Sequence, residues 1–155
     1  MEQLKINSGL CQLQVMDETG KELGILSFNP MDFNLPTRLD RGWKKIQKCL
    51  EEAKKTFSKY ADTEDMEAQM DDDTFTDVAK TISDVDEEIK QQLNYIFDTD
   101  ISSVFGNTHL ATPTKEGFLI ENFIYAFIPV LEREMQKAQT SSAKRKEKYT
   151  ARYHK

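Results

Sequence analysis

Between Asp62 and Asp77 the chain has no lysine or arginine, only acids: Asp62, Glu64, Asp65, Glu67, Asp71, Asp72, Asp73 and Asp77. Other scarcities exclude whole classes of function. The six glycines are scattered and none stands in a GxGxxG or GxxxxGK[ST] turn, so a phosphate-cradling nucleotide site is not expected. Two cysteines, Cys11 and Cys49, stand far apart without CxxC or Cys/His spacing, which suits reduced core thiols rather than a disulfide or a zinc site. The two histidines, His109 and His154, have no partner at ligand spacing. Asp98 and Asp100 do not open a calcium loop, because Ser103 and His109 occupy the positions where glycine and glutamate are required. No serine stands in a nucleophile-elbow context, and the acid run has no apolar neighbours to shift a carboxyl pKa for acid-base work. No cofactor and no catalytic residue are expected, and the protein reads as a non-enzyme.

Long apolar runs are also missing. The longest, around Phe123 to Leu131, is far shorter than the ~20 residues of a membrane span and is flanked by acids. The opening MEQLKINSGL has an early acid, no apolar core and no small-residue cleavage site, so the expectation is a cytoplasmic protein without membrane attachment.

What is present is a chain of 155 residues with net charge -6, the size of one domain. From Lys137 onward the sign reverses, with seven bases against the single acid Glu147. Tyr149 and Tyr153 among those bases could stack on single-stranded nucleic acid, but repulsion between phosphates and so acidic a chain argues against nucleic acid as a partner. Charge blocks of this kind recruit protein partners or stay solvated.

Hydrophobic periodicity predicts a mainly α (α+β) fold. Leu13 and Val15 alternate with Gln12 and Gln14, and Leu23 and Ile25 with Glu22 and Gly24, around the turn Asp17-Glu18-Thr19-Gly20. This predicts a β-hairpin within residues 1–30 whose apolar face packs on helices. Leu39, Trp43, Ile46, Leu50, Ala53, Phe57 and Tyr60 follow at alternating steps of four and three, an apolar seam of period seven that predicts a long helix over 37–60. Such a seam serves either as the inner face of its own domain or as a partner surface. If it is a surface, Leu39, Trp43, Ile46, Leu50, Phe57 and Tyr60 are the binding residues, and self-association is possible.

Residues 61–80 lack a sustained apolar period and read as a mobile acidic linker. Ser83, followed by Asp84, Asp86, Glu87 and Glu88, resembles an N-cap with acids in the first turn, starting the C-terminal helices over 83–137. In these, Val85, Ile89, Leu93 and Ile96 share one face, a short helix runs from Ile101 to Phe105 and stops at Gly106, and a last helix begins near Thr114 or Lys115. Ile120, Phe123, Ile124, Phe127 and Leu131 form its apolar face, with a kink or break expected at Pro129. Residues 1–139 then make a single domain, and 140–155 a basic flexible tail.

This order of elements resembles the tail assembly chaperones of long-tailed bacteriophages and prophages of Gram-positive hosts. The resemblance rests on the hairpin leading through Phe28-Asn29-Pro30-Met31-Asp32 into a heptad helix, on the aromatic-rich stretch from Ile96 to Phe105-Gly106, and on the helix Phe118 to Leu131 with its basic tail. Pro129 and the acidic linker depart from the family pattern. The resemblance implies a viral protein of the host cytoplasm that binds the tape-measure protein and recruits tail-tube protein during virion assembly, without catalytic residues. Two other classes fit the residues: a structural tail-completion or connector subunit, and an acidic regulator or DNA mimic resting on the acid run alone.

Overall fold

The structure is a computed structural model and describes residues 1–61 and 72–153. It is mainly helical, with an N-terminal antiparallel hairpin packed on helices, as the periodicities predict. Strand β1 (Cys11–Met16) pairs with β2 (Glu22–Phe28) around the expected turn. The Asp17 carboxylate accepts hydrogen bonds from the Thr19 amide and hydroxyl and from the Lys21 amide at 2.9, 2.6 and 3.0 Å. The Thr19 hydroxyl, first, and then the Lys21 amide hold that carboxyl below its ordinary pKa. Gly20 supplies the left-handed φ of +87°.

One phase is corrected. Residues opposite one another in an antiparallel pair share a face, and the register sets Leu13 against Leu26 and Val15 against Gly24. Leu26 and Phe28 are therefore buried, while Ile25, which alternation placed inward, is 52% exposed. An irregularity between Val15 and Met16 separates this phase from the one read along β2 alone. At Gly24 an added Cβ would lie 2.6 Å from the backbone of Val104, so only glycine lets the hairpin rest so closely on what lies beneath.

Helix α1 (Leu35–Ala61) carries the seam and extends the expected 37–60 slightly at both ends. Pro36 fits its first turn, where the missing amide hydrogen would have had no intrahelical acceptor. Helix α2 (Asp72–Phe97) runs antiparallel to it: Arg38 and Gly42 meet Ile96, while Glu88 acts on Cys49 further along α1. An added Cβ on Gly42 would come within 2.5 Å of Ile96 Cγ1, so this glycine sets the spacing of the two helices. Arg38 fastens the same corner by donating to the Ile96 carbonyl at 2.9 Å and to Asp32 Oδ2 at 2.7 Å. The exit from α2 uses Asp98 at φ +52°, with the Thr99 amide bonded back to the Asn94 carbonyl at 3.3 Å, which satisfies an end carbonyl of the helix.

Helix α2 overturns part of the linker expected over 61–80. Residues 72–80 are helical, because the apolar period of Val85, Ile89, Leu93 and Ile96 continues backward through Ile82 and Val78. Ser83 is accordingly interior to the helix and caps nothing. Residues 62–71, with Met66 and Met70, lie outside the described residues, as does His154.

Helix α3 (Ser102–Phe105) is the short one expected, followed by Gly106. The Asp100 carboxylate takes the Ser102 amide at 3.0 Å and hydroxyl at 2.7 Å at its entry. Next comes a small hairpin, β3 (Pro113–Thr114) with β4 (Gly117–Phe118), in place of the helix start expected at Thr114 or Lys115. Gly117 at φ +114° is the local reason, since the chain turns there instead of coiling. Helix α4 (Leu119–Tyr153) begins where Glu121 reaches back to the Phe118 amide at 3.1 Å, half of a capping box. Two further first-turn amides, of Leu119 and Ile120, are satisfied by the carbonyls of Thr112 and Leu110, each at 2.9 Å.

The break that Pro129 could impose is not observed: α4 is one helix to Tyr153, so the basic residues from 140 continue it. Pro129 stands on the exposed side between Ile124, Phe127 and Leu131, which anchor the helix on both sides of it. Beyond Gln139 the Ala, Lys, Arg and Glu residues are good helix formers that extend a helix already nucleated.

The core joins the first hairpin, the four helices and β4. Phe28 and Phe97 each meet Phe127 edge-on with ring centroids 5.2 Å apart, and Phe105 meets Phe123 at 5.0 Å. Such edge contacts add about 0.5–1.5 kcal/mol beyond the area they bury.

Candidate docking groove

The heptad seam divides between two roles. Ile46, Leu50 and Ala53 are buried against the rest of the domain, so the middle of the seam is core and cannot reach a partner. Phe57 is partly buried against the same core, and the Tyr60 side chain lies outside the described residues. Leu39 and Trp43 behave differently. They are half-buried and form one wall of a groove of about 450 Å³ between the start of α1 and the middle of α4.

α4 runs antiparallel to α1 along the groove. Lys54 lies over the Phe118 ring at 5.8 Å and Trp43 meets Tyr125 edge-on at 6.1 Å, while Leu39 and Pro36 face the part of α4 near Leu131. Ile124 and Leu131, both buried, form its floor. Ile128 and Met135 form the second wall. These α4 residues continue the apolar face past Pro129 and beyond Leu131, the last residue that the sequence pattern placed on it. The period itself, with Ile124, Ile128, Leu131 and Met135 at steps of four, three and four, was the available signal.

The rim is acidic. Asp40 and Glu132 both line the groove, and Asp40 is paired only at the surface, with Lys44 at 3.1 Å. A pair between two such exposed chains contributes under about 1 kcal/mol and releases Asp40 readily. An apolar trough with carboxylates on its lip suits an amphipathic segment that carries aliphatic or aromatic anchors flanked by Lys or Arg. Phe33, 74% exposed in the turn leading into α1, adds an apolar residue to this end of the molecule.

A second concavity, about 240 Å³, lies between β1 and α4, lined by Leu13 to Met16 on one side and by Ala126, Phe127 and Val130 on the other.

Asp86 serves the fold. Asp86, one of the acids read as a first-turn residue, is buried and accepts the Leu110 amide at 2.7 Å, with Lys90 at 3.1 Å and His109 Nδ1 at 3.5 Å. It orders the loop that in turn seats the start of α4. Cys11 and Cys49 are free and half-buried, and burial first, then nearby glutamates, raises both thiol pKa values, which makes them poor nucleophiles at neutral pH. Among the described residues no group of three or more His, Cys, Asp or Glu could hold a metal ion, and no helix is long and apolar enough to cross a membrane. The basic residues Lys144, Arg145 and Lys148 are exposed on the far part of α4.

A scan against protein-family models and searches of curated proteins and of solved structures return no match for this chain.

Proposed function

We propose that the protein is a non-enzymatic binding protein that holds an amphipathic helix of a client in the groove between α1 and α4. The observation that carries this reading is the wall of half-buried apolar side chains, Leu39, Trp43, Ile128 and Met135, open to solvent beneath the carboxylates of Asp40 and Glu132. A client helix would place aliphatic or aromatic side chains at i, i+3 or i+4 and i+7 along the groove, with bases meeting the rim.

Taken with the resemblance to phage tail assembly chaperones, the client is a tape-measure protein. Such a protein is a very long, largely helical chain whose apolar stripes need cover until tail-tube subunits close around it. The basic far end of α4 would then face tube subunits or acidic stretches of the complex, in the host cytoplasm.

Co-expression with the neighbouring open reading frames, followed by pull-down and mass measurement of the complex, tests the proposal. A very long helical protein should be captured by the wild type and lost with Leu39→Asp combined with Met135→Asp, while far-UV circular dichroism stays unchanged. Capture that survives the double substitution would refute the groove as the client site. Copies of this chain found in finished particles would replace the chaperone by the structural-subunit reading.

A further inference from the structure

The segment before β1 carries apolar side chains that the described residues leave largely exposed. Leu4 is 92% exposed, Ile6 79% and Leu10 55%, and residues 1–10 join neither helix nor strand. The base of this arm is nevertheless fixed. Asn29 Nδ2 donates to the Ser8 carbonyl at 3.0 Å, beyond the last ladder pair Cys11–Phe28, and the Gly9 amide donates to Asn7 Oδ1 at 3.0 Å. Gly9, at φ +76°, sets the direction in which the arm leaves the domain. Held in this way, it projects two aliphatic side chains into water, an arrangement that costs the chain their burial without compensation.

The hairpin has a matching vacancy. α3 lies under the inner face of the hairpin, where Gly24 is pressed on its backbone, and among the described residues β1 has β2 as its single strand neighbour. The cleft of about 240 Å³ beside β1 is lined by four consecutive strand residues, Leu13 to Met16. Gln14 and Met16 line it together with the inward-facing Leu13, Val15 and Leu26, so the cleft reaches from the hairpin's inner face to residues on the outer side of β1. Its opposite wall, formed by Ala126 and Val130 of α4, is apolar.

We propose that two copies of this chain pair reciprocally through the β1 edge, the arm of each adding as a strand beside β1 of the other. The parity of the residues supports it. Antiparallel pairing that sets Leu4 opposite Val15 puts Ile6 opposite Leu13, so both arm aliphatics fall on the face that β1 already turns toward the core. Lys5 then comes opposite Gln14 on the outer face, where Gln14 donates to Glu22 Oε1 at 3.3 Å, and the ammonium meets that carboxylate. Arm and β1 are consecutive in the chain, so one two-fold axis satisfies both arms at once and gives a continuous four-stranded sheet with no further open strand at its centre. The pairing uses the cleft at β1 and leaves the groove between α1 and α4 free, so it stands or falls separately from the proposed function.

Light scattering on the full chain at micromolar concentration tests it first, with a dimer expected. Leu4→Asp combined with Ile6→Asp should give a monomer that melts cooperatively, since both side chains are largely exposed within their own chain, and each aliphatic lost should weaken pairing about tenfold or more. A wild-type monomer, or a dimer indifferent to the double substitution, would overturn the proposal. The second measurement introduces Lys5→Cys and Gln14→Cys together in a chain carrying Cys11→Ala and Cys49→Ser, followed by oxidation. A disulfide-linked dimer supports the exchange between copies. An intrachain disulfide in a monomer would mean that the arm folds back on its own β1, and the proposal fails.

Discussion

Replacing glycine by alanine inside a helix ordinarily stabilises a protein by about 0.5–1 kcal/mol, because alanine loses less backbone freedom on folding. At Gly42 the structure predicts the opposite sign. The added methyl would lie 2.5 Å from Ile96 Cγ1 and 2.6 Å from Cδ1, well inside van der Waals contact. Ile96 is fully buried and its own carbonyl is fixed by Arg38, so neither side chain nor helix end moves away cheaply. Overpacking of this kind costs about 1–3 kcal/mol, and after the propensity gain a net loss of about 1–2 kcal/mol remains. Urea unfolding followed by circular dichroism reads this as a lower midpoint at unchanged slope. The decisive comparison is Gly42→Ala in an Ile96→Ala background, where the space vacated by the isoleucine receives the new methyl. There the substitution should become neutral or stabilising, with a coupling between the sites of about 1–3 kcal/mol. A Gly42→Ala protein more stable than wild type, or an effect that does not change with Ile96, would refute the argument that this glycine sets the helix spacing.

Asp86→Ala should cost about 1–3 kcal/mol, since it strands the buried Leu110 amide, and proton exchange at that amide should accelerate at least as much as the global loss of stability predicts. The Asp32 carboxyl is held below its ordinary pKa by its hydrogen bond from Arg38 first, and by the Asn34 amide. Its contribution is therefore present above the unfolded value of about 4 and is lost as pH falls through the folded one. Thermal melts across that acid range should fall less steeply for Asp32→Asn than for wild type, and parallel curves would dismiss the linkage. Truncation after Gln139 removes helix whose side chains at 140, 141 and 143–148 are exposed, so stability should change by no more than about 0.5 kcal/mol while helical ellipticity drops. A large fall in stability would show that this end of α4 is docked.

Much of this molecule is set by local rules that a reader can apply residue by residue. Period two with an Asp-Glu-Thr-Gly turn determines the hairpin, period three-to-four determines α1 and the later part of α2, and the scarcity of glycine and histidine motifs bounds the chemistry. These signals survive because each depends on neighbours within a few positions. Three matters depend on pairs far apart in sequence, and only the tertiary structure decided them. The face of β2 that turns inward follows from its register with β1, which put Ile25 in water and Leu26 in the core. Whether the helix ends at Pro129 was decided by apolar anchors on either side of it, so the face expected to close at Leu131 continues to Met135.

The seam of α1 is the clearest case. Its repeat is uniform along the helix, and nothing in it distinguishes Ile46 from Leu39. The distinction comes from the partners: Ile46 and Leu50 are buried in the core, whereas Leu39 and Trp43 stay half-buried along the groove between α1 and α4. A periodic sequence states that a face is apolar. Which part of that face is left for a partner depends on how far the covering elements reach, a property of their lengths and crossing geometry and not of the face itself.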